Sequence, residues 1–291
     1  MRYEGPIYRP PSEADSLLVQ ATVGCPHNLC TFCMVYKQGV KFKVRPTREV
    51  KADLEEASRT YGSTVRTIFL PAGNTIAMPT AALAEICSCA TSLFPRLERL
   101  TVYGSAQYIS RKGLDNLRIL ADSGLKRIHL GLESGDDEIL AQVRKGADSR
   151  MQIAAGRLTR QAGMELNAYV ILGLGGRGRT CSHARETARV LNEMAPNVVR
   201  LRTLVPKINT PLLEDIQAGR FELLSPHGVI RETMALIEAV AIPTRIVSDH
   251  YTNYVNVAGN LPEDKAAILS TLQKNLARAE SSFRPFFIGT Q

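Results

Sequence analysis

The sequence predicts an α/β fold of parallel βαβ units, and three features carry that expectation. Short apolar runs alternate with longer amphipathic stretches along most of the 291-residue chain. No change of composition interrupts the alternation, which places six or more such units in one domain. Gly62, Gly124 and Gly163 fall where three helices must stop and turn toward the next strand. Right-handed crossovers then curl the sheet into a closed or partial barrel, or leave it open and doubly wound.

The strand-like runs are Ser16 to Thr22, Arg66 to Leu70, Arg99 to Tyr103, Arg127 to Leu132, Leu166 to Leu172, Val198 to Leu204 and, more weakly patterned, Thr244 to Val247. Helix-like stretches fill the gaps: Thr47 to Tyr61, Pro79 to Leu93, Ser110 to Asp122, Asp136 to Val143 with Ser149 to Ala162, Cys181 to Met194, and Pro226 to Ala239. Thr47 is expected to cap the first helix, with Glu49 and Asp53 near its positive end. A Pro-rich segment, residues 1–15, leads into the repeating units at 16–247. An extension, residues 248–291, carries a last helix, Pro262 to Ala279, that covers one edge of the sheet. In either sheet arrangement chemistry gathers at the C-terminal ends of the strands. This directs attention to the segments Gly24 to Lys41, Pro71 to Met78, Gly104 to Tyr108, Glu133 to Asp137, Gly173 to Thr180 and Val205 to Thr210.

Composition narrows the class. With 44% apolar, 22% charged and 6% aromatic residues, the chain is neither disordered, collagenous nor a coiled coil. A chain of this length buries roughly three quarters of its unfolded surface, so its core needs no disulfides. The six cysteines are spread unlike a disulfide framework: Cys25, Cys30 and Cys33 lie close together, Cys87 and Cys89 form a pair, and Cys181 stands alone. That distribution points to reduced thiols and metal chemistry in the cytoplasm. The net charge of +8 is dispersed, without a run of like charges, so nucleic acid is the less favoured partner and an anionic small molecule is equally well served. No signal-like or membrane-spanning apolar stretch is present in the sequence.

The segment GCPHNLCTFCMVYK carries Cys25-x4-Cys30-x2-Cys33 directly after the first strand. Three thiolates on one loop can bind three irons of a [4Fe-4S] cubane and leave the fourth iron open for reaction. The competing readings are a zinc site completed by His27, and three ordinary buried thiols. A plant-type [2Fe-2S] electron carrier, with Cys87 or a later cysteine as fourth ligand, has a similar spacing but no place for the βα units.

On these residues the chain resembles the radical S-adenosylmethionine (radical SAM) superfamily, over about Ser16 to Val247. The resemblance implies a partial (βα)6 TIM-like barrel, with one [4Fe-4S] cluster on Cys25, Cys30 and Cys33 and S-adenosylmethionine (SAM) on the open iron. It further implies reductive cleavage of SAM to a 5'-deoxyadenosyl radical that abstracts hydrogen from a substrate. An electron donor such as flavodoxin or ferredoxin is implied as well. The commonest family spacing is C-x3-C-x2-C with an aromatic before the last cysteine; Phe32 fits that aromatic, and the first gap here is one residue longer.

Other segments match in order. Pro71-Ala72-Gly73-Asn74 stands where the family's Gly-Gly-Glu motif bonds the SAM amino group, with Asn74 in the acidic position and Gly73 permitting close backbone approach. Gly131-Leu132-Glu133-Ser134-Gly135 is similar to the family's GLESG segment, which implies that Glu133 or Ser134 meets the ribose or methionine portion of SAM. Leu172-Gly173 and the glycines that follow are similar to the GxIxGxxG segment that lines the adenine.

Further candidates come from position alone. Arg150 and Arg202 are candidate partners of the SAM carboxylate. Ser105 and Gln107 follow the third strand, and Tyr36 and Lys37 follow the cysteine loop, as cavity-lining candidates. His250, in the polar-aromatic segment Asp249 to Tyr254, is a candidate proton donor or substrate contact. Cys181 is a candidate hydrogen-atom donor, although small buried side chains are the simpler role for Cys87, Cys89 and Cys181. The resulting expectation is a cytoplasmic radical SAM enzyme acting on a small or medium-sized anionic metabolite. An RNA-modifying member of the superfamily is the alternative.

Overall fold

The computed structural model describes residues 1–37 and 41–290, so part of the expected Gly24 to Lys41 segment and the terminal Gln291 lie outside the described residues. The strands are β1 (Leu17–Leu18), β2 (Thr22–Val23), β3 (Lys43–Val44), β4 (Thr67–Leu70), β5 (Arg99–Gly104), β6 (Leu125–Glu133), β7 (Glu165–Leu172), β8 (Val198–Thr203), β9 (Thr244–Val247) and β10 (Ala258–Leu261). The helices are α1 (Thr47–Tyr61), α2 (Thr80–Leu93), α3 (Ala106–Asp122), α4 (Asp137–Gln142), α5 (Ser149–Gln161), α6 (Gly176–Met194), α7 (Pro211–Gln217), α8 (Pro226–Ala239) and α9 (Lys265–Leu276). The result is the expected α/β fold of mostly parallel strands alternating with helices. Two compact units compose it: Met1–Asn28 with Val35–Leu130 and Arg157–Leu166, and Leu29–Met34 with Gly131–Gly156 and Asn167–Gln291.

In the first unit β1, β4, β5 and β6 pair in parallel, with Leu17 beside Ile68, Ile68 beside Leu100 and Val102 beside Ile128. The strand side chains Ile68, Phe69 and Leu70 and the helix side chains Leu54, Leu83, Ile86 and Leu117 are fully buried, as a sheet covered by helices requires. The expected strand Ser16 to Thr22 is broken in two. Val19 still donates to Phe69 O at 3.1 Å, but Ala21 O is taken by the Arg45 N–H, and β2 pairs antiparallel with β3 instead. Thr47 is the first residue inside α1 rather than its cap: Pro46, with φ −53° and ψ 129°, holds the cap position, and no side chain closes the first turn. Helix α3 starts earlier than expected, at Ala106, and kinks at Gly113, whose φ is +69°. Gly62, Gly124 and Gly163 all have positive φ at the expected helix ends.

Beneath these strands the carboxylate of Glu13 is buried. It receives Ser16 Oγ at 2.6 Å and Arg127 Nη1 at 3.1 Å, and lies 3.0 Å from His129 Nε2. Burial alone would raise its pKa, but the bonds from His129 and Ser16 and the charges of His129 and Arg99 prevail and lower it to about 2.

In the second unit β7, β8 and β9 pair in parallel, with Leu172 beside Thr203 and Val199 beside Ile246. The strand β10 adds antiparallel to β9; its AGNL sequence has no alternation to announce it. Helix α6 begins at Gly176, so Cys181 lies inside the helix rather than at its start. The short α7 was not foreseen; Pro211 at its first position and Thr210 as cap, accepting from Leu213 N–H at 3.3 Å, are its local causes. Helix α8 packs on α6 and on α9, and the last helix is shorter than expected, Lys265 to Leu276. Among the described residues no helix is long and apolar enough to cross a membrane.

Candidate functional site

In the first unit several candidate residues meet around Gly73. Its N–H donates to Gly24 O at 3.1 Å. A Cβ at this position would stand 2.7 Å from Cys25 Cβ and 2.8 Å from the Tyr36 ring, so only glycine lets the turn after β4 lie against the cysteine loop. The preceding Ala72 is buried with φ +124°, a strained geometry for a residue with a Cβ. Asn74 is 1% exposed; its Nδ2 donates to Ser105 Oγ at 2.9 Å, while its Oδ1 has no hydrogen-bond partner among the described residues. Asn28, itself at φ +45°, ties the loop down: its Nδ2 donates to Tyr36 O at 2.8 Å, and Lys37 Nζ donates to Asn28 O at 2.6 Å. Tyr36 is buried, and Gln107 lies in the first turn of α3.

In the second unit the Cys30–Cys33 turn is held by backbone bonds. Thr31 donates to Val143 O at 3.0 Å, Leu212 donates to Thr31 O at 3.1 Å, and Cys33 N–H donates to Cys30 O at 3.3 Å. Phe32 packs on the cluster of Ile139, Val143, Leu174, Leu204 and Leu212. Arg202 near the end of β8 and Lys207 after it lie nearby: burial and the Arg202 charge lower the pKa of Lys207, and the charge of Cys33 opposes them. His250 is pushed down to about 4 by burial, then by Arg202 and Lys207. Its ring is therefore neutral at neutral pH, with one nitrogen carrying a hydrogen and the other able to accept. Its Nδ1 lies 2.8 Å from Thr252 Oγ1.

The turns after β6 and β7 are also specific. Glu133 adopts φ +65°, and its Oε1 accepts from Lys145 Nζ at 2.8 Å. Ser134 is fully buried, its N–H bonded to Leu132 O and its Oγ accepting from Asp136 N–H at 3.0 Å. Leu172 ends β7, Gly173 follows it, and the Gly173 N–H donates to Glu232 Oε1 at 2.6 Å. Glu232 Oε2 takes the Thr180 hydroxyl, also at 2.6 Å; His183 stands between Glu232 Oε1, 3.1 Å from its Nδ1, and Glu133 O, 3.4 Å from its Nε2.

Some expected residues are exposed. Arg150 is exposed in the first turn of α5. Cys181 is exposed on α6, and Cys89 is partly exposed, so neither is the buried packing residue expected; Cys87 alone is, with burial pushing its thiol up to about 12. None of the six cysteines forms a disulfide, and the three on the loop are each partly exposed. Among the described residues no three His, Cys, Asp or Glu side chains are gathered closely enough to hold a metal ion. Glu232, His183 and Lys207 were not foreseen. Glu232 had a readable signal, since it falls on the buried stripe of α8 with Val229, Thr233 and Leu236, where a charge must find partners. His183 falls likewise with Thr187 and Val190 on α6.

Comparison with known proteins gives this arrangement a context. The radical SAM superfamily domain matches residues 19–191. An uncharacterized protein of Methanocaldococcus jannaschii, MJ0486, is 26% identical over 221 residues, 73% of this chain and 67% of that protein. The tRNA-2-methylthio-N(6)-dimethylallyladenosine synthase of Hydrogenovibrio crunogenus is 26% identical over 195 residues, 65% of this chain and 40% of the synthase. The chain thus spans well under half of that second relative. Among solved structures, methylornithine synthase (PylB) superposes with a TM-score of 0.52 at 15% identity, over 91% of this chain and 83% of that one, a likeness of fold.

Proposed function

Because the chain belongs to the radical SAM superfamily, we propose that it holds one [4Fe-4S] cluster on Cys25, Cys30 and Cys33, binds SAM, and abstracts hydrogen from a small anionic substrate. The donor chemistry suits these groups. Three unbridged, partly exposed thiols are the right donor set for three irons. The crowded approach at Gly73, and the buried Asn74 Oδ1 that has no hydrogen-bond partner among the described residues, offer an acceptor of the kind an ammonium group takes.

When bound, the reduced cluster and SAM supply the 5'-deoxyadenosyl radical. The protein's own part is to bind, orient and exclude water. Gly73 brings the backbone after β4 against the cysteine loop, and Asn74 presents its free oxygen from a buried position braced by Ser105. The Glu133 turn is held by Lys145, and the Gly173 turn by Glu232. Arg202 and Lys207 place positive charge beside His250 for the anionic group of a substrate. Reduction requires an external donor, a flavodoxin or ferredoxin.

The observation that carries this reading is the fit of Cys25 and Tyr36 around a position where only glycine is accommodated, beside a buried acceptor without a partner among the described residues. Anaerobic reconstitution tests it. About four irons per chain, a reduced-state EPR signal that shifts with SAM, and 5'-deoxyadenosine as product are expected; two irons without a SAM effect would sink it. The tRNA-modifying relative favours a second reading, an RNA substrate. Salt-sensitive tRNA binding at micromolar affinity or better would select it.

A further inference from the structure

In the second unit the chain after β9 runs along β8 beyond the residues that pair with β9, and brings His250 to the side of Arg202. Asn253 makes the attachment. Its Nδ2 donates to Leu201 O at 2.9 Å and its Oδ1 accepts from Thr203 N–H at 2.7 Å, one bond on each side of Arg202. The Asn253 N–H donates to His250 O at 2.9 Å, which closes the turn, and Arg284 Nε fastens Thr252 O at 2.8 Å.

That turn decides which ring nitrogen of His250 carries the hydrogen. Its Nδ1 accepts from Thr252 N–H at 3.3 Å and lies 2.8 Å from Thr252 Oγ1. The hydroxyl can donate or accept, but a backbone N–H can only donate, so Nδ1 is bare and Nε2 carries the hydrogen. Protonating Nδ1 would set its hydrogen against that of Thr252, which keeps the ring neutral by geometry, alongside burial and the charges of Arg202, Lys207 and Arg200 that oppose Asp249. The Nε2–H has no hydrogen-bond partner among the described residues, and it is not sealed away from solvent. Arg202 stands likewise. It is half-buried on the face of β8 that it shares with Arg200. Arg200 is spent on Asp249, whereas the Arg202 guanidinium has neither hydrogen bond nor ion pair among the described residues. Two neighbouring donors, one charged and one neutral, thus lie together without an acceptor from this chain. The oxygens of a carboxylate or phosphate satisfy both, while an amine is repelled by Arg202 and an uncharged carbonyl leaves its charge unanswered.

We propose that Arg202 and His250 form a two-point receptor for a carboxylate or phosphate group of the substrate, with His250 donating from Nε2. This rests on the radical SAM reading and adds to it a specificity-determining residue. His250 fixes where the anion sits through a hydrogen that the Thr252 turn has already placed, and no proton passes to the substrate.

Two measurements test it, with inorganic phosphate as the probe. In the purified full chain labelled with 15N-histidine, the ring nitrogens of His250, identified by their absence in His250→Gln, should report the Nε2–H tautomer at pH 7, and phosphate should shift the Nε2 signal saturably. In calorimetric titrations with phosphate, Arg202→Gln and His250→Phe should each weaken binding about tenfold, a change of about 1.4 kcal/mol. His250→Gln, whose amide returns an N–H donor, should recover most of that loss. If His250→Phe fails to fold by circular dichroism, the tautomer and Arg202→Gln decide the matter. Saturating S-adenosylhomocysteine should leave phosphate binding to the reconstituted chain unchanged; displacement would give the receptor to the cofactor's own carboxylate. That displacement, an Nδ1–H tautomer or a doubly protonated ring at pH 7, absence of a saturable phosphate site, or unchanged affinity in the folded variants overturns the proposal. Failure of the reconstituted wild type to form 5'-deoxyadenosine is a separate result: it removes the radical SAM reading while leaving the tautomer and the phosphate titration as they stand.

Discussion

The backbone N–H of Gly173 donates to the carboxylate of Glu232 at 2.6 Å, in a place where Glu232 is 3% exposed. Gly173 has φ +81° and opens the turn between β7 and α6, so the bond holds a left-handed turn from a separate helix. Through His183 the same carboxylate also reaches the carbonyl of Glu133. Glu232→Ala would orphan a buried N–H, a hydroxyl and a ring nitrogen at once, and should cost about 2–3 kcal/mol in urea unfolding. Glu232→Gln keeps an acceptor for Gly173 and should recover most of that loss. If the two variants lose equally, hydrogen bonding to the turn is not what Glu232 contributes.

Gly73→Ala is expected to spoil metal loading without unfolding the chain. Its Cβ would meet Cys25 Cβ and the Tyr36 ring below 3 Å, and the cysteine loop, being at the surface, gives way before the core does. Iron retained after reconstitution should fall to less than about half of wild type, with an unchanged far-ultraviolet circular dichroism spectrum. Cys30→Ala should abolish the brown absorbance, and Cys87→Ala should leave it intact.

Ala72 sits at φ +124°. Glycine adopts that geometry without a Cβ clash, and the relief of strain, about 1–3 kcal/mol, exceeds the entropy that glycine adds to the unfolded chain, about 0.4–1 kcal/mol. Ala72→Gly should therefore raise the urea midpoint, by about 1 kcal/mol in unfolding free energy. A lower midpoint would show that Ala72 contributes packing that outweighs its strain.

Acid stability should fall in two windows. Glu13 is lowered from 4.5 to about 2, so its ionised form supports the fold above about pH 4.5, and that support is lost as pH falls toward 2; the shift corresponds to about 3 kcal/mol. His250 is lowered from 6.5 to about 4. The unfolded chain takes up that proton first, and stability is lost as pH falls through the interval from 6.5 to 4. In unfolding titrations Glu13→Gln should flatten the lower window and His250→Gln the upper one. If each variant's curve runs parallel to that of wild type, neither group is the source of the acid sensitivity.

The legible part of this protein is what neighbouring residues impose on one another. Strand and helix alternation, the stops at Gly62, Gly124 and Gly163, and the Cys25-x4-Cys30-x2-Cys33 loop all follow from local periodicity, from backbone freedom and from the chemistry of three close thiols. Local signals misled where a distant partner competed. The run Ser16 to Thr22 patterns as one strand, yet Arg45 claims Ala21 and divides it; Thr47 has a capping side chain, yet Pro46 occupies the position. The Gly-Gly-Glu-like turn could be placed from sequence, but that Gly73 presses on Cys25 and Tyr36 is a property of packing between segments far apart in the chain.

The sequence by itself determined the α/β class, the cysteine loop and the strand ends that carry the candidate residues, because these depend on residue types at short spacing. Tertiary structure alone decided that Glu232 braces Gly173 and that His250 is driven to its neutral form. Those outcomes depend on burial and on which groups meet across long separations, quantities that no local pattern of residues contains.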